Sequence, residues 1–426
     1  MAISLLNPLL TSRRHALKAL LGATSLWAAP HLWAQNTPDP NGRLVIVLLR
    51  GAYDGLSALV PYADPRYYAL RPSIAIAAPD GSDQTTLALD GTFGLHPALA
   101  PLLPLWSAGV LSVVPASGSA TATRSHFDAQ RYLELGTHGK LNGGAGWLNT
   151  LAGLEGVPAD SRTHLVGVGE ANPLILAGAQ PNKLVPKGQA ATREGVLGNE
   201  RTREAVMALY AGNDALSQAF RAGAQSRQDT AKTLSADRGD PAMNSREMQA
   251  ANNGAGSAQG LLLDAQHLGT LMRQNRALTL GFLSAGGWDT HANQGASTGT
   301  LARNLADLSS ALVQLRRDFS DPKDVIVVLS EFGRTTAENG TRGTDHGHGN
   351  ALWLIGNAVN GGRWHGGWNG LAADQLNEGR DLPVLNDYRA VLAQVLRATH
   401  GLSDPQLVQL FPELAWESSL NALMRT

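Results

Sequence analysis

The segment at 342–349, RGTDHGHG, places one carboxylate, two imidazoles and three glycines within eight residues. The chain has only 12 histidines in 426 residues, so His346 and His348 are unusually close together. Carboxylates and neutral imidazoles are ligands for Zn, Mn and Fe, and glycines let a loop wrap closely around an ion. Asp345, His346 and His348 therefore predict a metal-binding loop.

Further polar residues follow four apolar segments, at 43–49, 110–117, 277–287 and 324–330. Their runs of Val, Ile and Leu are typical of strands that are covered on both faces. Because ligands of open α/β sheets bind at the carboxyl ends of the strands, the polar residues beyond these ends are candidates for one shared site. They are Asp54, Ser125, His126, Asp289, His291 and Glu331.

Asp54 and Ser125 also have simpler structural interpretations. Asp54 precedes Gly55, an arrangement that is typical of a turn. Ser125 can cap a helix whose first turn carries Asp128 as the acid of a capping box. A cap does not exclude catalysis, because a helix N-terminus also favours an anion beside the serine hydroxyl.

The other candidates have alternatives of the same kind. Asp289 and His291 can belong to an Asx-type turn, although residues two apart in a strand-like turn face the same way and can reach one ion. Glu331 can form an ion pair with Arg334. The conjunction of carboxylates and imidazoles is a stronger signal than any one member, and the remaining histidines are taken as structural.

Helical segments alternate with the apolar segments. They lie at 257–275, 301–316 and 387–401, and the second has leucines at helical spacing. This alternation predicts an α/β fold, a three-layer sandwich with a central, mostly parallel sheet. We expect residues 35–426 to form a single domain with a helical and then mobile insertion around 195–256, where apolar anchors are few.

The first 34 residues predict export. The pair Arg13-Arg14 precedes an apolar, small-residue stretch and a small-residue cleavage point after Ala34, which is the layout of a twin-arginine signal peptide. The apolar stretch is shorter than the roughly 20 residues that a spanning helix needs. We expect a periplasmic or extracellular protein, delivered by the twin-arginine export machinery and without a permanent membrane span.

The composition excludes several classes of function. A formal net charge of -1 gives no reason to expect nucleic-acid binding. The chain has 0 cysteines, which excludes thiol chemistry and disulfides in an exported protein. With 43% hydrophobic residues it can bury a large core.

Several long motifs resemble a known family. They include LRGAYDGLSALVPYADPRYYALRP, RSHFDAQRYLE, GWDTHANQ and SEFGRTTAENGTRGTDHGHG. From about residue 43 to 400 the chain resembles the twin-arginine-exported domain-of-unknown-function family 1501. This family is similar in fold to the alkaline phosphatase/sulfatase superfamily, whose members hold one or two metal ions at the carboxyl ends of a mixed sheet. The resemblance implies an alkaline phosphatase-like sandwich.

The resemblance also implies a set of metal ligands. One or two divalent ions are expected, with Zn as the first choice and Mn, Fe, Cu, Mg or Ca as alternatives. The expected ligands of a first ion are Asp289, His291 and His348. Those of a second ion are Asp54, Glu331 and Asp345, and His346 can bind either ion.

The expected reaction is hydrolysis of phosphate esters, or of related sulfate or phosphonate esters, with Ser125 as nucleophile. Arg124 and Arg334 would clamp the non-bridging oxygens of the substrate. His126 would act as an outer ligand or as the general acid. If Ser125 only caps its helix, a metal-activated water would attack instead. The sulfatase motif is absent after Ser125 and there is no cysteine, which excludes a formylglycine-dependent sulfatase.

Two other functions remain open beside a hydrolase of small-molecule or glycan esters. The ligand types also suit a redox enzyme with iron or copper, and the nine Trp and seven Tyr can line the glycan groove of a carbohydrate-modifying enzyme. A non-catalytic envelope protein that reuses the fold is the third alternative, because fold does not determine function.

Overall fold

The computed structural model describes residues 42–425 except for a few short gaps. The gaps are 140–143, 156–163, 171–172, 193–196, 198, 236–251 and 253–254. The predicted signal peptide and part of the expected insertion lie outside the described residues.

The strands of the described residues belong to one large sheet and one small sheet. In chain order they are β1 (Leu44–Leu49), β2 (Leu59–Val60), β3 (Leu87–Ala88), β4 (Gly94–Leu95), β5 (Leu111–Gly118), β6 (Leu165–Val168), β7 (Asn182–Val185), β8 (Gly256–Ser257), β9 (Leu280–Gly286), β10 (Val325–Leu329), β11 (Asn350–Gly356), β12 (Arg363–Trp364) and β13 (Asn386–Asp387).

Helices cover the large sheet. In chain order they are α1 (Gly55–Ala58), α2 (Pro65–Leu70), α3 (Leu103–Ser107), α4 (His126–Leu135), α5 (Trp147–Leu154), α6 (Glu200–Leu209), α7 (Ala215–Ser235), α8 (Leu261–Gln274), α9 (Thr300–Asp318), α10 (Tyr388–His400) and α11 (Asp404–Leu410). Among the described helices, none has both the length and the apolar character needed to cross a membrane.

The large sheet is mixed and mostly parallel, as the sequence predicts. Its order is β12-β5-β11-β10-β1-β9-β6-β7, with β13 paired to β5 and β8 paired to β9. Strand β1 is parallel to both neighbours, so that Val45 lies opposite Ile326 on β10 and Gly281 on β9. Strand β11 is antiparallel to β10 and to β5. The small sheet contains only β2, β3 and β4.

Strand β1 shows why the central strands are apolar throughout. Successive side chains of a strand point to opposite faces, and both faces of this sheet are covered by helices. The odd-numbered residues of β1 pack with α8 and α9, whereas the even-numbered ones pack with α5 and α10. All six are fully buried, and each such side chain stabilises the fold by about 1.5–3 kcal/mol. The predicted three-layer α/β sandwich is confirmed.

The strand directions bring four carboxyl ends to one edge of the sheet. Strands β1, β9 and β10 are parallel. Strand β5 has the same direction, because β11 runs antiparallel to both β5 and β10. Directly after β1 the backbone turns through Gly51 and Ala52, which have φ values of 111° and 55°. The polar residues that follow these four strands are therefore neighbours in space.

The buried carboxyl of Asp264, on α8, makes the stability of the fold depend on pH. Burial raises its pKa to about 7, although the backbone N–H of Gly188, 2.7 Å away, and the charge of Lys187 lower it. The raised pKa means that this group stabilises the fold most below its unfolded pKa of about 4. The contribution is lost as the pH rises through 7.

We expect Asp264→Asn to raise the melting temperature above pH 7 and to leave it nearly unchanged near pH 4, because the amide carries no charge to bury. Thermal unfolding at both pH values measures the effect, with Asp83→Asn in an exposed loop as the matched control. An Asp264→Asn protein with the same pH dependence as the wild type would contradict the assignment.

Candidate metal centre

Four donor atoms from three loops meet at the carboxyl edge of the sheet. The Nε2 atom of His346 lies 3.0 Å from Nε2 of His126 and 3.0 Å from Nε2 of His291. The carboxylate Oδ1 of Asp289 lies 2.9 Å from His291, 3.3 Å from His346 and 3.6 Å from His126. Of these, His126, Asp289 and His346 form a group in which every donor atom is within 4.8 Å of the others.

The other ring nitrogen of each histidine faces an oxygen that can only accept a hydrogen bond. The Nδ1 atom of His126 lies 2.8 Å from Oε1 of Glu331. That of His291 lies 3.2 Å from Oδ1 of Asp345, and that of His346 lies 2.9 Å from the carbonyl of Arg124. Each Nδ1 must therefore carry the proton, so in the neutral tautomer each Nε2 presents a lone pair.

The carboxylate of Glu331 fixes the position of the His126 ring. This carboxylate accepts hydrogen bonds from the backbone N–H of Gly51 at 2.7 Å and from the side chains of Gln130 and Ser330 at 2.9 and 2.8 Å, besides the one from His126. Glu331 is buried at the end of β10. It therefore fixes the imidazole of His126 instead of joining the donor atoms, which is the arrangement of an outer carboxylate behind a metal-binding histidine.

Arg334 lies on the other side of Asp289. Its Nη2 donates to Oδ1 of Asp289 at 2.5 Å, and its side chain is completely buried. The remaining guanidinium donors point to the backbone carbonyls of Gly51, Ala52, Trp288 and Thr344. The predicted role of Arg334 as a clamp on substrate oxygens does not fit this position, because its donors are turned away from solvent.

The charged groups of the site shift one another's pKa values. Burial alone would raise the pKa of Asp289, but hydrogen bonds from His126 and His346 and the charge of Arg334 hold it far below its usual range. Burial lowers the pKa of His126, but the neighbouring carboxylates of Asp289 and Glu331 outweigh burial and raise the pKa to about 9. For Glu331, burial is outweighed by His126 and Gln130, and the pKa falls to about 2. An ion at this centre must therefore displace the proton of His126.

Ser125 is the N-cap of α4, directly before His126. Its Oγ accepts a hydrogen bond from the backbone N–H of Asp128 at 3.3 Å, so the capping interpretation is correct in geometry. Ser125 is only half-buried, and the residues on both sides of it contact the donor cluster: His126 by its ring and Arg124 by its carbonyl. A cap and a reactive hydroxyl are compatible at this position.

The side chain of Arg124 pairs with two carboxylates. Its Nη2 forms ion pairs with Glu378 at 2.7 Å and with Asp381 at 3.3 Å. Arg124 remains 43% exposed and Glu378 is 65% exposed. Of the two predicted clamp residues, Arg124 is therefore the one that a dissolved anion can reach.

Asp54 lies apart from the donor cluster. Its carboxylate accepts two hydrogen bonds from Arg71, at 2.6 and 3.0 Å, and others from Ser57 and Gln294. The carboxyl is fully buried, which raises its pKa, but the charge of Arg71 outweighs burial and keeps the pKa below its usual range. All the acceptor capacity of Asp54 is thus used within the protein.

The structure separates the three polar residues of the segment at 342–349. His346 belongs to the donor cluster, whereas His348 places its Nε2 2.8 Å from the carbonyl of Ser119. Asp345 faces His291 and also accepts from Asn339 at 3.0 Å. Asp345 is therefore a partner of a histidine, as Glu331 is.

The glycines of this segment permit close backbone contacts. A Cβ on Gly343 would lie 2.4 Å from the carbonyl of His291, and one on Gly347 would lie 2.5 Å from the carbonyl of Arg334. Both distances are far shorter than carbon and oxygen allow. The glycines thus let the loop approach its neighbours, and this approach places His346 beside His126.

The donor set fits a first-row divalent ion. Atoms bound about 2.1 Å from a tetrahedral ion lie about 3.4 Å from each other, near the separations within the group of His126, Asp289 and His346. Two imidazoles and one carboxylate, with the imidazole of His291 beside them, suit Zn, Mn, Fe or Cu. Sequence reasoning did not assign His126 to the ligands. The signal for it was its place immediately after a helix cap at the same sheet edge.

We expect His346→Ala to weaken binding of a divalent ion by at least about 100-fold, because it removes the donor that contacts both other histidines. His348→Ala, two residues away, should leave the affinity unchanged, since His348 faces the Ser119 carbonyl. Elemental analysis and competition titration of both variants measure the difference. Loss of the ion in His348→Ala, or its retention in His346→Ala, would contradict this centre.

Solved structures similar to this chain include an alkaline phosphatase and a sulfatase. Alkaline phosphatase from the Antarctic bacterium TAB5 is 9% identical with a TM-score of 0.37, over 87% of this chain and 98% of that one. The PsFucS1 sulfatase from Pseudoalteromonas sp. is 11% identical with a TM-score of 0.36, over 91% and 74%.

A third similar structure is the C-terminal periplasmic domain of EcEptC from Escherichia coli in complex with Zn. It is 11% identical with a TM-score of 0.34, over 75% of this chain and 74% of that one. These similarities concern the fold of the chain and not its chemistry. No curated protein matches the sequence.

The family model described as a protein of unknown function, DUF1501, matches residues 112–410. This range contains the cap Ser125, all four donor residues and the carboxylates behind them. Since the match spans well over half of the chain, the protein belongs to the DUF1501 family.

Proposed function

We propose that the protein is an exported, metal-dependent hydrolase of phosphate esters or of related sulfate or phosphonate esters. The observation that carries the proposal is the cluster of donor atoms from His126, Asp289 and His346, with Nε2 of His291 near the last two and Ser125 directly before His126 in the chain. The site lies at the carboxyl ends of parallel strands, where α/β sheets bind their ligands.

His126, Asp289 and His346 would hold one ion. The Nε2 atom of His291 lies next to this group, 2.9 Å from Oδ1 of Asp289 and 3.0 Å from Nε2 of His346. We propose Zn first, with Mn and Fe as alternatives, because no soft ligand is present and imidazole predominates. When bound, such an ion supplies Lewis acidity, which lowers the pKa of a neighbouring hydroxyl and stabilises charge on a phosphoryl oxygen. Glu331, Asp345 and the Arg124 carbonyl keep the imidazoles in the binding tautomer.

Ser125 is the proposed nucleophile. Its oxygen would form a bond to phosphorus while the bond from phosphorus to the departing alcohol breaks, and the alcohol gains the proton that the serine loses. Attack by water on the phosphoserine would then release phosphate and restore the hydroxyl. The free backbone N–H groups at the start of α4 favour the anionic substrate at this place.

Arg124 is the proposed ligand of the substrate's anionic oxygens. Its ion pair with Glu378 is exposed, so solvent weakens the attraction and the pair contributes little to stability. A phosphate that offers two oxygens to the guanidinium fork can therefore replace Glu378. The buried Asp381, which contacts the same Nη2 atom, would keep the guanidinium in position.

A redox enzyme is the second candidate. It is favoured by the same donor set, because three imidazoles and one carboxylate also suit iron or copper with open coordination positions. The bound element and its electron paramagnetic resonance spectrum distinguish the two. A colourless, redox-silent Zn protein that cleaves phosphate esters excludes the redox enzyme.

Loss of the Ser125 hydroxyl is expected to lower turnover of an aryl phosphate by at least about 1,000-fold. The informative variant is Ser125→Asn, because asparagine caps helices as well as serine and keeps α4 intact. Bound metal and melting temperature should stay at the wild-type values, and Ser125→Thr, which retains a hydroxyl, should keep part of the activity. Turnover is measured on matched phosphate, sulfate and phosphonate esters. Wild-type turnover in Ser125→Asn would remove Ser125 as the nucleophile.

Export is proposed to depend on the arginine pair at 13–14, which lies outside the described residues. The double variant Arg13→Lys, Arg14→Lys is expected to stay in the cytoplasm, because receptor recognition of the pair requires both guanidinium groups. Cell fractionation followed by detection of the chain measures this. Equal delivery of the variant and the wild type outside the inner membrane would exclude the twin-arginine route.

A further inference from the structure

The guanidinium of Arg334 stands where a second cation of this centre would have to bind. Its Nη2 is 2.5 Å from Oδ1 of Asp289, and its Nη1 is 3.5 Å from Nε2 of His291. The other donors are surrounded by backbone carbonyls at distances of up to 3.3 Å. Carboxylate and carbonyl oxygens around a buried positive charge are also what a hard metal ion prefers.

The carboxylates that a second ion would need are already engaged. Asp54 binds Arg71, Ser57 and Gln294. Glu331 accepts four hydrogen bonds, and Asp345 accepts two. Binding an ion through Asp54 or Glu331 would first break hydrogen bonds to buried donors, each of which costs about 1–3 kcal/mol when left unpaired. Asp345 is half exposed, and its Oδ1 is held by His291 and Asn339.

The charges of the centre also balance with a single ion. Three carboxylates contact the histidines or Arg334: those of Asp289, Glu331 and Asp345. Against them stand the one guanidinium and, with neutral imidazoles, one divalent ion, so that the net charge is zero. A second divalent ion would leave two positive charges without compensation in a half-buried site, which is strongly unfavourable.

We infer that Arg334 is a built-in cation that takes the place of a second metal ion, so that the centre holds one divalent ion per chain. This inference rests on the proposed metal centre and specifies its nuclearity. Arg334 acts as a positioning residue: it fixes the Asp289 carboxylate and supplies a permanent positive charge beside the bound ion. It does not contact the substrate, because its side chain is completely buried.

The first experiment counts ions on the wild-type chain. The exported protein, purified without chelators, is stripped of metal and titrated with Zn²⁺ and, separately, with Mn²⁺, followed by elemental analysis and native mass spectrometry. We expect one ion per chain at saturation. Two tightly bound ions would overturn the role of Arg334 and leave the proposed hydrolase intact. No bound ion would overturn the metal centre and this inference with it.

The second experiment removes the charge. In Arg334→Met, loss of the neighbouring positive charge should lower the Kd of the ion by at least about tenfold, which corresponds to about 1.4 kcal/mol. Arg334→Lys keeps the charge and should stay near the wild-type Kd. Arg71→Met is the matched control, because Arg71 is also fully buried and bonded to a single aspartate, away from the histidines.

A purely structural role for Arg334 predicts the opposite result. If the guanidinium only supports Asp289, a folded Arg334→Met variant binds the ion with the wild-type affinity or more weakly, and the charge role is overturned. Circular dichroism establishes whether each variant is folded. Should Arg334→Met fail to fold, the ion count of the wild-type chain decides by itself between one cation and two.

Discussion

Burial of a single charged group, the guanidinium of Arg334, determines the arrangement of the loops at the carboxyl edge of the sheet. A buried arginine is tolerated only when its donors are satisfied, and here the acceptors come from the turn after β1, the turn after β9 and the glycine-rich loop. These three segments are therefore locked to one another by the protein alone. His291 and His346, which lie on two of these segments, are consequently held next to each other by the protein itself. His126, at the start of α4, is held separately by Glu331.

The sequence predicts the central part of this arrangement well. The segments that become β1 and β10 are unbroken apolar runs, and β9 is apolar apart from Ser284 and its glycines, because both faces of these strands are covered. The carboxyl ends of parallel strands lie at one edge of a sheet. Asp289, His291 and Glu331 come directly after such strands in the sequence, so their position at this edge can be predicted. The same reasoning places Ser125 at a helix cap, and the hydrogen bond from Asp128 agrees.

The exact partners of each side chain did not follow from the sequence. Glu331 and Asp345 are carboxylates at the predicted edge of the sheet. Whether such a carboxylate binds an ion or a histidine depends on small differences in its distance from each, which only the tertiary structure gives. His348 lies two residues from His346 but faces the carbonyl of Ser119 instead, because it belongs to a loop that precedes β11 and does not have regular strand geometry. Strand β11 itself was missed, since its apolar run directly follows a glycine-rich loop that carries no separate turn signal.

The close backbone contacts at Gly343 and Gly347 have a consequence for how this sequence can diverge. A core strand accepts exchanges among Val, Ile and Leu, because neighbouring side chains repack around similar volumes. The loop has no such freedom: any side chain at these two positions would push against a main-chain carbonyl, and backbone does not repack. Natural variation in related chains should therefore accumulate in the hydrophobic interior and leave this outer loop nearly constant, the reverse of the usual relation between a loop and a core.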